Sequence, residues 1–158
     1  MIENEELLSI IPHRGKMMLL SRVSGYDLNE RTIEAEYNVT KGCLFYDSAL
    51  DGVPSWVCFE FIAQAIGAFS GIMNRIKGEP PKIGFILSVS QVRMEIPIIK
   101  TGNIVTIKAK EIENMDLLYV FTGEVFLKGR KIFEGNLTVV DVGDEQARTI
   151  QKESDSGE

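Results

Sequence analysis

One long helical segment dominates what this sequence can fold into. Pro54 suits the first turn of a helix, and residues 55–76 contain no further proline. The segments before and after it alternate apolar and polar residues, or are rich in Ile, Val and Phe, as β-strands are. A single helix between runs of strands predicts an α+β fold with a mainly antiparallel sheet.

The helix combines an apolar stripe with an unusually small remaining surface. Its large apolar side chains recur at intervals of three and four residues, namely Phe59, Ile62, Ile66, Phe69 and Met73. Much of the rest is small: Ala63, Ala65, Gly67, Ala68, Ser70 and Gly71. Such a helix can approach other backbone closely, so we expect a curved sheet wrapped around it. An ordinary amphipathic helix lying on a sheet is the alternative.

The remaining segments predict the order β-β-α-β-β-β-β. Before the helix, a short helical turn ends at Pro12 and two strands, 17–23 and 32–39, are joined near Asn29. After it, strands are expected at 83–99 with a break at Pro97, at 103–112, at 117–127 and at 131–142. Lys128, Gly129 and Arg130 form the expected hairpin turn between the last two.

Length and charge limit the possible functions. A chain of 158 residues fits one domain, expected over 1–145, followed by a disordered polar tail over 146–158. A net charge of -6 argues against a nucleic-acid partner. No leader-like segment and no run near the roughly 20 apolar residues of a membrane span is evident, which predicts a cytoplasmic protein. Cys43 and Cys58 are expected to be reduced thiols without metal.

Two motifs resemble a known enzyme family. Residues 11–23, opening Ile-Pro-His-Arg-Gly, resemble the first motif of bacterial β-hydroxyacyl-acyl-carrier-protein dehydratases. Residues 53–68, with Glu60 followed four positions later by Gln64, resemble that family's helix. The Pro-Ser-Trp opening of the helix is most similar to the aryl-polyene-associated branch. The resemblance implies the hotdog fold, a curved antiparallel sheet around one central helix.

Glu60 is the best candidate for chemistry. It lies between two phenylalanines near the positive end of the helix, an environment suited to proton transfer. A solvent-facing glutamate is the alternative. Gln64 is one turn later on the same helix face, where it can orient the carboxylate or tie the helix to the sheet.

The catalytic histidine that the resemblance implies is missing from its usual place. In the family it belongs to a His-Phe-Pro-Gly-like segment about fourteen positions before the helix acid, and that position here is Tyr46. Tyr46, Asp47 and Asp51 can supply a proton donor or hold a water, or they are simply solvated. His13, the single histidine, is expected mainly to play a hydrogen-bonded structural role, with direct chemistry as the alternative.

The start of the helix can also contribute to binding. Backbone N–H groups of Ser55 and Trp56 are candidate donors to a thioester carbonyl oxygen, where enolate charge develops. The Trp56 side chain is expected to be a lid or a core residue.

The resulting prediction is reversible dehydration of a β-hydroxyacyl thioester, carried on acyl carrier protein or coenzyme A, without metal or redox cofactor. A hotdog thioesterase is one alternative. A non-catalytic acyl-binding or partner subunit is another, supported by the missing histidine. An acidic carrier can dock if Arg75, Lys77, Lys82 and Arg93 cluster. An exposed sheet edge predicts a homodimer or a higher assembly of dimers.

Overall fold

The computed structural model describes residues 1–82 and 84–141, together with 153, 156 and 157. The described elements are β1 (Ile2–Glu3), α1 (Asn4–Ile10), β2 (Arg22–Asp27), β3 (Thr32–Asn38), β4 (Gly52–Pro54), α2 (Cys58–Ile76), β5 (Gly84–Met94), β6 (Ile98–Lys100), β7 (Ile104–Met115), β8 (Leu118–Leu127) and β9 (Arg130–Asp141). Short 3-10 turns precede β2 and α2, at Gly15–Met17 and Ser55–Val57. The tail expected over 146–158 falls almost wholly outside the described residues and stays a prediction.

One antiparallel sheet surrounds the long helix. Its strand order is β1-β2-β3-β7-β8-β9-β5, and β4 pairs separately with β6. Six strands of the sheet approach α2. Six strands spaced about 4.8 Å apart would span about 24 Å if flat, roughly twice the diameter of a helix, so the sheet must curve. The predicted antiparallel sheet around one long helix is confirmed.

Small residues allow this close wrapping on two sides of α2. A Cβ atom on Gly71 would lie 1.7 Å from the carbonyl oxygen of Ile10, at the end of α1. A Cβ atom on Gly123 of β8 would lie 2.4 Å from the side chain of Ile62. Gly67 differs, because nothing lies within 4 Å of the place its Cβ would take. This third side of the helix faces open space.

The apolar stripe predicted on the helix is only part of its buried surface. Ile62, Ile66 and Phe69 are buried as expected, whereas Phe59 and Met73 are partly exposed. Phe61 and Ile72, outside the stripe, are also buried. The helix is therefore enclosed on more sides than an amphipathic surface helix would be.

The expectation that no segment approaches the length and apolar character of a membrane span is wrong for the long helix. Residues 55–76 are long and apolar enough, by length and composition alone, to cross a membrane. However, 61% of the most apolar window is buried inside the fold. The core position of the helix accounts for its composition.

The strand expected at 17–23 starts later, at Arg22. The physical reason is that its backbone is bonded elsewhere: the Leu19 N–H donates to the Gln64 side chain, and the Met17 carbonyl accepts from it. The other turns agree with the sequence. Lys128 and Gly129 have φ of 51° and 78°, as a tight hairpin turn between β8 and β9 requires.

Candidate functional site

A cavity of about 380 Å³ runs along the open side of α2. One stripe of the helix lines it, and its residues are Glu60, Ala63, Gly67, Ser70, Met73 and Asn74. Gln64, Ile66, Phe69 and Lys77, beside this stripe, also contribute to the lining. The opposite wall comes from β5, β8 and β9, with Phe85, Ile86, Tyr119, Phe121 and Val139. The cavity exists because the middle of the stripe carries small side chains. The result is a channel with an apolar middle and polar groups at both ends.

His13 and Glu60 lie at the first end of the channel. Nδ1 of His13 is buried and has no hydrogen-bond partner among the residues that the structure describes. Burial lowers the pKa of His13. The negative charge of Glu60 partly offsets this effect, and the positive charge of Arg14 reinforces it. The imidazole is therefore neutral near pH 7. The hydrogen-bonded structural role expected for His13 finds no support in this geometry.

The segment around His13 is held in place by Arg14. Its guanidinium donates to the carbonyl oxygens of Leu8 at 2.9 Å, Ile11 at 2.7 Å and His13 at 2.7 Å. These carbonyls lie at and just beyond the end of α1, where helix carbonyls lack intrahelical partners. Arg14 thus caps the helix and fixes the backbone that carries the imidazole, which explains the Pro-His-Arg spacing in physical terms.

Gln64 performs both of the roles considered for it. Its side chain is 1% exposed, and its Oε1 accepts the Leu19 N–H at 2.7 Å. Its Nε2 donates to the Met17 carbonyl at 2.8 Å and to Glu60 Oε1 at 3.4 Å. The Leu19 bond fixes which amide atom is oxygen, so the N–H group faces Glu60. Gln64 therefore holds the chain beside the helix and supplies a donor to the carboxylate.

The loop that replaces the missing histidine is bonded to itself. The Tyr46 hydroxyl donates to Asp51 Oδ1 at 3.1 Å, which also accepts from Thr101 at 3.1 Å. Asp47 accepts the Ala49 N–H at 2.9 Å and bridges to Gly52. Of the described residues that line the channel, none comes from this loop. Within one chain, Tyr46 and Glu60 are not brought together.

The structure contradicts the donor role expected for Ser55 and the core position considered for Trp56, whose role as a lid stays a prediction. The Ser55 N–H already donates to the Pro97 carbonyl at 2.9 Å, so it is not available to a substrate. Trp56 is 49% exposed and therefore is not a core residue. Its ring lies 5.7 Å from Phe45 and 6.4 Å from Phe59, and it does not belong to the described lining of the channel.

The second end of the channel contains residues that sequence reasoning missed. The Arg31 guanidinium donates to both carboxylate oxygens of Glu111, one of them at 3.0 Å, and stands 5.2 Å from the centroid of the Phe69 ring. The Glu111 bond raises the pKa of Arg31. Asn74 and Tyr119 line the same region. Arg31 and Glu111 are 80 positions apart in the chain, so no local sequence pattern predicts that they form a pair.

The curved antiparallel sheet around one enclosed helix is the hotdog fold, and His13 and Glu60 lie at one end of its channel. The chain belongs to the ApeP-like family, whose sequence model, described as ApeP dehydratase, matches residues 5–151. The predictions of the hotdog fold and of a dehydratase family are confirmed.

Relatives of known name agree with this family. The chain is 28% identical over 143 residues to the 3-hydroxyacyl-[acyl-carrier-protein] dehydratase FabZ of Chlamydia trachomatis serovar L2, covering 86% of this chain and 90% of that one. The dehydratase heterocomplex ApeI:P from Xenorhabdus doucetiae matches with a TM-score of 0.82 at 22% identity, covering 91% and 95%. A hypothetical thioesterase from Streptococcus pneumoniae shares the fold at a TM-score of 0.59 and 13% identity, covering 77% and 85%.

Proposed function

We propose that this chain dehydrates a β-hydroxyacyl thioester to the trans-2-enoyl thioester, with His13 and Glu60 as its acid/base pair. The observation that carries the proposal is the buried, unpartnered Nδ1 of His13 at the same end of the channel as Glu60. A neutral imidazole without a partner is ready to accept a proton. Outside a reactive role, a buried polar atom without a partner costs free energy.

The two residues divide the reaction between them. His13 takes the proton from the α-carbon as that C–H bond breaks, and the proton passes through Glu60 to the β-hydroxyl as the C–O bond breaks. The carbon–carbon double bond forms and water leaves. The α-proton leaves in that water, so both residues end in the protonation state in which they began. The Gln64 N–H stabilises Glu60 while it is ionised.

The apolar channel accommodates the acyl group, and a basic residue in its lining can bind an acidic carrier protein. The FabZ relative is named for acyl-carrier-protein substrates, which favours that carrier over coenzyme A. Of the basic residues considered for docking, Lys77 and Lys82 line the channel. Lys82 pairs with Glu79 at 3.0 Å and Arg75 pairs with Glu6 at 3.1 Å. Support for an acidic carrier therefore comes from Lys77.

We further infer that two copies pair through β5. Val89 and Met94 of this edge strand stand opposite the buried Leu137 and Phe133, so they point to the inner face of the sheet. They are nevertheless 38% and 51% exposed. An edge strand whose inward-facing apolar side chains are exposed is expected to pair with the same strand of a second copy.

A partner subunit role is the second candidate function. It is favoured by the heterocomplex in which the Xenorhabdus relative is found and by the loop that lacks histidine. In that case the β5 edge would bind a related chain, and the chain alone would not turn over substrate.

Turnover by the purified chain tests the proposal directly. Glu60→Gln and His13→Gln are each expected to lower dehydration of a 3-hydroxyacyl thioester at least roughly a hundredfold, the lower range for losing a general acid or base, with little change in thermal stability. Glu113→Gln, the same change on the exposed part of β7, is the control. Enoyl-thioester absorbance measures the product.

Each outcome of this test has a meaning. Wild-type turnover in folded Glu60→Gln or His13→Gln protein contradicts the assignment of that residue. Release of free thiol instead of enoyl product indicates a thioesterase. Absence of turnover that is restored by a related dehydratase chain indicates the partner subunit. Tyr46 stays a predicted participant, for which Tyr46→Phe in the same assay is the measurement.

A further inference from the structure

We propose that Gly67, at the middle of the channel, determines the longest acyl group that this chain accepts. The glycine leaves the channel open past its midpoint, so that acyl groups of more than about twelve carbons extend beyond it. This inference rests on the proposed function, because it concerns the same channel and the same substrate.

The surroundings of Gly67 distinguish it from a glycine required by packing. Gly67 lines the channel, and nothing among the described residues lies within 4 Å of the place that its Cβ atom would take. At Gly71, by contrast, the same atom would lie 1.7 Å from the carbonyl oxygen of Ile10. Close packing therefore requires glycine at position 71 but not at position 67.

Neither backbone conformation nor helix stability accounts for this glycine. Gly67 lies inside α2, and its φ is outside the left-handed region that favours glycine. Glycine is less favourable than alanine inside a helix, because it loses more backbone freedom on folding. What the missing side chain provides at this position is open space in the channel.

The helix wall of the channel leaves this space, whereas the sheet wall is bulky. The sheet side carries the large side chains Phe85, Ile86, Tyr119, Phe121 and Val139. On the helix, Gly67 lies between Ala63, four positions before it, and Ser70, three positions after it, on one face. A larger side chain at position 67 would therefore project between these neighbours and narrow the channel at its middle.

The spacing along the helix gives the acyl length at which Gly67 matters. Glu60, which acts at the β-carbon in the proposed reaction, precedes Gly67 by seven positions, or about 10 Å along the helix axis. An extended acyl chain advances about 1.2 Å per bond, so roughly its twelfth carbon lies beside Gly67. The lining continues for seven more positions to Asn74. An acyl group of about eight carbons therefore ends before Gly67, whereas one of about sixteen carbons passes it.

The test compares 3-hydroxyoctanoyl and 3-hydroxyhexadecanoyl thioesters of one carrier on the full chain. Gly67→Leu should lower the ratio of kcat/KM for the longer substrate to that for the shorter one by at least about tenfold, the effect of displacing two methylene groups from an apolar channel. Gly67→Ala should lower this ratio by about fourfold, the effect of one methylene group. Gly25→Leu is the control and should keep the wild-type ratio, because Gly25 has equal room for a Cβ atom and lies outside the described lining of the channel.

A ratio that stays unchanged in the folded Gly67 variants overturns the proposal, and so does a wild-type chain that dehydrates only the shorter substrate. The wild-type result needs no variant, and Gly67→Ala keeps the test valid if Gly67→Leu does not fold. Calorimetric binding of octanoic and hexadecanoic acid separates this inference from the proposed function. If the chain shows no turnover but Gly67→Leu weakens the binding of hexadecanoic acid alone, the role of Gly67 is supported and the catalysis is contradicted. Equal binding of hexadecanoic acid by the variant and the wild type would contradict the role of Gly67.

Discussion

His13 illustrates how burial prepares a residue for chemistry. The imidazole lies beside Glu60 at the channel end, and desolvation is the largest influence on its pKa. Because burial penalises the charged form, the pKa lies below the ordinary 6.5, and the nearby carboxylate only partly restores it. His13 is thus kept neutral near pH 7 by burial, and its Nδ1 has no hydrogen-bond partner among the described residues.

The lowered pKa of His13 predicts a pH-dependent loss of stability. As pH falls below 6.5 the unfolded chain takes up a proton on His13 before the folded chain does, so stability falls until the folded pKa is passed. His13→Gln should remove this contribution and show a flatter dependence of the melting temperature between about pH 7.5 and 5. Identical slopes for the two proteins would mean that the folded His13 titrates as in the unfolded chain.

At the scale of elements, the two glycines of α2 have opposite surroundings: one is closely packed and the other borders open space. Gly71 lies against the end of α1 and has no room for a methyl group, whereas Gly67 borders the channel. Both have ordinary negative φ, so their difference is one of surroundings and not of backbone conformation. Gly67 and Gly71 therefore form a matched pair on one helix, four residues apart. Position 71 requires a residue without a side chain, and position 67 does not.

Alanine at these two positions is expected to change stability in opposite directions. Gly67→Ala should stabilise the protein by about 0.5 to 1 kcal/mol through helix propensity. Gly71→Ala should destabilise it by at least about 2 kcal/mol, because its methyl group would meet the Ile10 carbonyl and displace α1. Urea unfolding of the two variants measures both effects. Equal stability of the two proteins would contradict the close contact between the helices.

At the scale of the whole molecule, β5 determines how chains assemble. Four of its apolar residues, Leu87, Val89, Val92 and Met94, are exposed, and the strand is one of the two edges of the sheet. A bulge at Gln91, with φ of 53°, interrupts the inward and outward alternation of side chains along the strand. Val89 and Met94, on either side of it, therefore both face the inner side of the sheet. The strand therefore presents apolar side chains on both halves of its length.

Charges on this strand are expected to separate the subunits. The wild-type chain should behave as a dimer or a multiple of it, and Val89→Asp combined with Met94→Asp should give a monomer near 17.7 kDa. Ile104→Asp combined with Ile112→Asp places the same two charges on similarly exposed residues of β7 and should keep the wild-type mass. Light scattering after gel filtration measures all three. A wild-type monomer at micromolar concentration would contradict pairing through β5.

The sequence by itself determined the helix and the turns, and it indicated Glu60 as the candidate acid. Period-two alternation in β3 and the glycine turn at 128–130 are local signals, and local backbone preferences reproduce them. Pro54, expected in the first turn of the helix, instead ends β4, and α2 begins at Cys58 after a 3-10 turn. The spacing of Glu60 and Gln64 likewise follows from one turn of helix. Such features depend on neighbours in the chain, which a sequence displays.

Only the tertiary structure decided which distant residues share the channel. His13 reaches Glu60 because Arg14 folds the segment after α1 and Gln64 replaces the strand partners of Met17 and Leu19. Arg31 meets Glu111 because β3 pairs with β7, and Tyr46 stays away because its loop closes on Asp51. These contacts arise from the packing of one curved sheet around one helix, and packing joins residues that no local pattern relates.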